Sequence, residues 1–144
     1  MKRLLLIVLP LLLIIGCSKP INEETLIDKD GLYTEWYDNG NKKLEYTYND
    51  GKMDGLRTWW YQNGQKRWEG SYKDGERDGL WTEWYENGQK KWEWTYKDGK
   101  QDGLETYWFD NGQKMKEGTY KDGNEGGKWT YYNKDGSVKE VKEY

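Results

Sequence analysis

The chain has 144 residues, 23 basic and 26 acidic, with a formal charge of −3 and neither Ala nor His. That balance lacks the basic excess of a nucleic-acid binder, and the single cysteine, Cys17, excludes an internal disulfide framework. The 10 Trp and 13 Tyr all lie at or after Tyr33; with abundant Thr and no Ala, they favour pleated strands over helices.

The first sixteen residues have the form of an export signal. Lys2 and Arg3 precede an apolar run from Leu4 to Ile15. As a helix this run spans roughly 18 Å, well short of the roughly 30 Å hydrocarbon core of a bilayer. Its length and charge placement therefore predict a cleaved leader rather than a transmembrane anchor. The ending Ile14-Ile15-Gly16-Cys17 resembles a bacterial lipobox. That resemblance implies cleavage between Gly16 and Cys17 and lipidation of the Cys17 thiol, and two or three acyl chains anchor stably where one does not. Residues 17–29 are then the lipidated Cys and a short polar tether. The implied location is the cell envelope, lipid-anchored. Ser18 after the Cys implies the outer membrane in a diderm cell, and the cell membrane is expected otherwise.

From residue 30 onward the chain repeats itself every 24 residues. The copies span 30–53, 54–77, 78–101 and 102–125, with a shorter, diverged fifth over 126–144. Glycine recurs at three fixed places, exemplified by Gly31, Gly40 and Gly51, nearly always after Asn or Asp. Asn-Gly and Asp-Gly between alternating segments are strong hairpin signals. Each unit is expected to be strand, Asn-Gly turn, strand, Asp-Gly turn. The fold class is all-β, an elongated antiparallel hairpin meander of about ten strands, roughly 48 Å long at the usual strand spacing.

Register follows from pattern. Leu32, Thr34 and Trp36, with their equivalents, share a face because strand side chains alternate. A two-residue Asn39-Gly40 turn would add Glu45 and Thr47 to that face. A three-residue loop with left-handed Gly40 and a bulge would instead add Leu44, Tyr46 and Tyr48. Apolar grouping favours the second arrangement. Tyr33, Glu35, Lys43, Glu45 and Thr47 are then expected on the opposite, polar face. The Tyr46 position runs Tyr46, Gly70, Trp94, Gly118, as though bulky rings lean over neighbouring glycines. Lys128 and Glu140 replace apolar residues in the last unit, which suits a polar cap.

The pattern DGLxTxWYxNGQKxxExxYKDGKxDG across residues 30–144 resembles the MORN repeat, in its bacterial variant form. The resemblance implies an elongated β meander that mediates membrane association, protein contacts or scaffolding, and some bacterial variants are antitoxin components. Asp54, Asp78 and Asp102 stand where the eukaryotic repeat has a His-Gly pair, which does not favour direct lipid-headgroup binding. The segment Gly127-Lys128-Trp129-Thr130-Tyr131-Tyr132-Asn133-Lys134-Asp135-Gly136 is similar to aromatic cell-wall-binding repeats that cage choline or sugars.

Chemistry for catalysis is sparse. Without His, and with Cys17 committed to acylation, no nucleophile–base pair is evident. No Cys/His spacing suits zinc, and Lys and Arg interleave the Asp-rich turns that would otherwise suit Ca²⁺. In the favoured register Glu105 faces Glu117 at a glycosidase-like separation, but the corresponding positions elsewhere are not both acidic. No cofactor and no metal are expected. The candidate binding residues are Trp36, Trp60, Trp84, Trp94, Trp108, Tyr72 and Tyr96, in an aromatic band that is core, binding surface or both at different depths. Lys42-Lys43, Lys66-Arg67, Lys90-Lys91 and Lys114 make a basic row that keeps hairpin ends soluble or engages anionic wall polymer. The expected role is non-enzymatic: a membrane-anchored repeat protein that binds a protein partner or scaffolds the envelope. The alternatives are a toxin-neutralising immunity protein and a wall-glycan or choline-binding module.

Overall fold

The computed structural model describes residues 30–144, which form eleven strands and no helix. The leader, Gly16, Cys17 and the tether lie outside the described residues. In chain order the strands are β1 (Gly31–Trp36), β2 (Lys42–Asn49), β3 (Lys52–Met53), β4 (Gly55–Trp60), β5 (Lys66–Lys73) and β6 (Glu76–Trp84). They continue as β7 (Lys90–Lys97), β8 (Lys100–Trp108), β9 (Lys114–Lys121), β10 (Asn124–Tyr132) and β11 (Val138–Glu143). All join one antiparallel sheet in which sequence neighbours pair, with the two-residue β3 pairing β2 just ahead of β4. The expected hairpin meander is present.

Two turn types build it. In Asn49-Asp50-Gly51-Lys52 both central residues have positive φ, 48° and 69°, and Asn49 pairs with Lys52. This is a type I′ turn, whose twist suits antiparallel strands, and Asp tolerates the left-handed region better than most residues. Asp74, Asp98 and Asp122 repeat it. At the other end of the hairpin the Gly40 N–H donates to the Tyr37 carbonyl at 2.9 Å and the Tyr37 N–H donates to the Asn41 carbonyl at 2.8 Å. That is the expected three-residue loop.

The register is not the expected one. Pairing passes from Trp36↔Lys42 to Glu35↔Leu44, which leaves Lys43 as an extra residue. This further bulge cancels the one-residue shift made by the loop. Leu32 therefore faces Thr47, Thr34 faces Glu45, and Tyr33 faces Tyr46. The same break recurs at Trp60, Trp84, Trp108 and Tyr132. Trp36, Trp60, Trp84 and Trp108 thus lie on the face opposite Tyr48, Tyr72, Tyr96 and Tyr120, and the single aromatic band expected from the sequence is split in two. Glu105 and Glu117 are likewise separated, since Glu105 faces Gly118 while Glu117 faces Thr106. The observed register gives Glu45 the Thr34 hydroxyl and the Lys42 ammonium as partners, and it sets two indoles over glycines.

Those indoles anchor the interior. A β-carbon on Gly70 would come within 2.2 Å of the Trp81 ring, and one on Gly118 within 2.1 Å of Trp129. The large–small alternation in the sequence is this fit. Three residues of β6, 79–81, stand opposite the single residue Gly70 of β5, so the glycine series of Gly31, at Gly79, Gly103 and Gly127, marks bulges inside strands rather than turns. Trp81, Trp92 and Tyr96 form a buried cluster with Trp68, Tyr72, Trp94 and Tyr107 packed against it. Trp92 stacks on Trp94 at 4.0 Å and meets Trp68 edge-on at 4.9 Å. Basic side chains roof the rings: the Arg77 guanidinium lies 4.4 Å from the Trp81 centroid, and Lys116 lies 4.2 Å from Tyr107 and 4.9 Å from Trp129. A one-layer sheet covers its interior here with its own amphipathic stems. Strand β11 is exposed throughout, Val138 and Val141 included.

Candidate binding surfaces

Alternation from Thr34 and its equivalents places Leu32, Leu56, Leu80 and Leu104 on the face away from the aromatic interior. Each is more than half exposed. Because they recur on every second strand, they form a row with a spacing of about 10 Å. The sequence pattern grouped this series with Leu44, Tyr46 and Tyr48; the bulge at Lys43 and its equivalents sets it on the opposite face.

Beside the leucine row a four-residue arrangement repeats. The Thr58 hydroxyl donates to Glu69 at 3.3 Å, Lys66 pairs with the same carboxylate, and the Lys66 ammonium sits 5.8 Å from the Trp84 ring centroid, one repeat onward. Thr34, Glu45, Lys42 and Trp60 are arranged alike, as are Thr82, Glu93, Lys90 and Trp108. In the last copy Lys114 pairs with Glu117 at 2.6 Å and Tyr132 takes the ring position. Lys114 and the Tyr132 hydroxyl hold the Glu117 carboxyl below its usual range. Part of the basic row is therefore paired: Lys42, Lys66, Lys90 and Lys114 each hold a glutamate.

The candidate residues separate accordingly. Trp36 is 58% exposed at the open end of the sheet, and Trp60, Trp84 and Trp108 are half-buried under the lysines of the preceding repeat. Tyr72, Trp94 and Tyr96 lie on the opposite face, where Tyr96 is part of the buried cluster. Trp84 and Trp94 accordingly do not share a surface.

Two features of the aromatic face were not visible in the repeat pattern. One is the carboxyl group of Glu105, 3% exposed, which Gln101 reaches with a 3.2 Å hydrogen bond and Lys116 with a 3.4 Å ion pair. Burial pushes its affinity for a proton up, against the opposing pull of Tyr107 and Lys116. Burial beside that carboxylate also pushes the Tyr107 hydroxyl up. The other is a cavity of about 110 Å³ lined by Arg57, Trp59, Trp68, Tyr72, Arg77 and Trp81. Arg57 and Arg77 interrupt their repeat series, which run Tyr33, Arg57, Trp81, Glu105, Trp129 and Met53, Arg77, Gln101, Glu125. That interruption was the available signal.

Among the described residues no group of carboxylate, His or Cys side chains is arranged to hold a metal, and no helix is long and apolar enough to cross a membrane. Fold and surface together define a β-repeat array with a row of exposed leucines on one face. The MORN repeat variant family matches residues 29–50, 53–74, 77–98 and 101–122. The chain belongs to that family, a family of protein- or membrane-binding repeat modules rather than of enzymes. No curated protein matches the chain.

Proposed function

We propose that the protein is a non-enzymatic, membrane-anchored repeat protein that binds a protein partner or scaffolds the bacterial cell envelope. The observation that carries this reading is the leucine row. Four aliphatic side chains at regular spacing stand more than half exposed on a face that no other element of the described chain covers. A regular row of exposed leucines on an uncovered face suits an interaction site, although Thr47, Ser71 and Thr95 stand between its members. On the other face most rings pack on one another and under Arg and Lys, with the cavity between Arg57 and Arg77 left open. The envelope location rests on the leader and the lipobox-like ending at Cys17.

Toxin neutralisation would use the same leucine face. Choline caging is disfavoured by geometry, because ammonium groups of Lys42, Lys66 and Lys90 already stand over Trp60, Trp84 and Trp108.

The test uses the full chain expressed in a bacterium. Labelled palmitate should enter the wild type and not Cys17→Ser; equal labelling removes the anchor. Chemical cross-linking in intact envelopes should yield a discrete adduct that Leu56→Asp with Leu80→Asp abolishes. An adduct unaffected by that double change would move the binding role off this face.

A further inference from the structure

We infer that the cavity between Arg57 and Arg77 on the aromatic face is a binding site for a carboxylate attached to an apolar group, such as the free C-terminal residue of a peptide. It lies on the face opposite the leucine row and stands independently of the role assigned there.

The walls supply apolar contact. Trp59 and Trp68 meet edge-on at 6.1 Å, Trp68 and Trp81 at 6.4 Å, and Tyr72 and Trp81 at 5.1 Å. Two cations flank them. The Arg57 guanidinium lies 4.6 Å from the Trp59 centroid and 5.7 Å from that of Tyr46. That of Arg77 lies 4.4 Å from Trp81 and donates to the Tyr96 hydroxyl at 2.9 Å. Rings hold both guanidiniums in place, yet among the described residues neither has a carboxylate within ion-pair distance. Arg57 reaches only the Met53 sulfur, at 3.7 Å.

Donors are also left over. The Arg57 Nε–H and the Trp68 indole N–H, both belonging to residues that line the cavity, are buried without an acceptor. These donors are closed off as the cavity stands, like those of Trp94 and Trp129, so an acceptor reaches them only if a side chain shifts, and the charge of the two guanidiniums carries the attraction. A planar carboxylate matches the fork of donors on a guanidinium.

The chain itself indicates the anion. One repeat further along, the place of Trp81 is taken by Glu105 and that of Arg77 by Gln101, and Gln101 donates to the buried Glu105 carboxylate. There the fold houses a carboxylate of its own. In the Arg57 copy the cations are present and the acid is not. At about 110 Å³ the cavity takes a carboxylate and part of the group attached to it, with the rest of the ligand outside.

Tryptophan fluorescence of the intact protein gives the readout, because three of the six lining residues are indoles. N-acetyl-phenylalanine should change the emission saturably. N-acetyl-phenylalaninamide, of equal shape and no charge, should not, and neither should inorganic phosphate at the same concentration. Arg57→Gln and Arg77→Gln should each weaken binding about tenfold to a hundredfold, as loss of charge-assisted hydrogen bonds does. Arg67→Gln, whose side chain lies over Tyr61, should leave it unchanged. Circular dichroism identifies any variant that has lost its fold, and the three wild-type titrations decide without variants. A response equal for the acid and its amide, an equal response to phosphate, or no saturable response to the acid overturns the proposal.

Discussion

The indole of Trp81 occupies the space that a side chain on Gly70 would need, and Trp129 stands in the same relation to Gly118. An alanine at either glycine forces a ring out of a packed layer whose other members are rings. Gly70→Ala should destabilise the protein by about 1–3 kcal/mol, the usual cost of overpacking. Gly126 has open space around its missing β-carbon, so Gly126→Ala should leave stability within about 0.5 kcal/mol of wild type. Urea unfolding followed by Trp fluorescence compares the two, and equal midpoints would contradict the packing argument.

The two faces should respond differently to truncation. Trp92 is 5% exposed inside the aromatic cluster, and Trp92→Ala should cost about 3–5 kcal/mol. Leu80 is 54% exposed, and Leu80→Asp should change stability by no more than about 0.5 kcal/mol while weakening partner cross-linking. Thermal unfolding together with the cross-linking yield separates the effects. A large loss of stability in Leu80→Asp would show that this face is covered.

Alkaline pH should unfold the chain. Tyr107 is held above its ordinary value chiefly by burial, and Tyr120 is pushed up to about 12 by burial and by Glu105 and Glu125. Tyr131 is pushed up to about 12 mainly by its bond with Tyr144. A folded value above the unfolded one, near 10, means that the stabilisation is whole below pH 10. It is lost as pH rises through about 12. Phenolate absorbance should therefore appear later in the native protein than in urea. Coincident titrations would remove this effect.

Glu105 gives an acidic counterpart. Its raised folded value means that its contribution is fully present below the ordinary glutamate range and declines as pH rises through the folded value. Glu105→Gln should flatten the change in stability across that window, because the amide does not ionise. Urea midpoints for the two proteins at pH 4 and pH 7 provide the comparison. An unaltered slope in the variant would assign the trend to other groups.

Much of the architecture was legible because turns are local. Asp50-Gly51 and Tyr37 to Asn41 need only their own backbone angles, and both loops formed as expected. The faces were not legible for the same reason. A bulge at Lys43 depends on what Glu45 and Tyr33 meet across the sheet, and a single unpaired residue exchanges inside for outside. Averaging over repeats also concealed the site residues. Arg57 and Arg77 drop out of a consensus because they occur once, whereas Trp60, Trp84 and Trp108 stand out although their role includes holding lysines. The pairing of Gly70 with Trp81 was half visible, since alternation in size at one position hinted at rings over glycines without naming the ring.

The turns are also bonded to one another across repeats. Tyr37, Tyr61 and Tyr85 each donate a hydroxyl to the carbonyl 23 residues later, and Asn39, Asn63, Asn87 and Asn111 do so through their side-chain amides. The first three seams are alike, and at the fourth Phe109 leaves the Asn111 bond without a hydroxyl beside it. Because the interior alternates large and small between repeats, with Gly70 beneath Trp81 and Gly118 beneath Trp129, a duplication or excision of a pair of repeats keeps that alternation, and the leucine row can change in length by that step. Recombination in such double steps would leave each of these glycines beside the ring that fills its space.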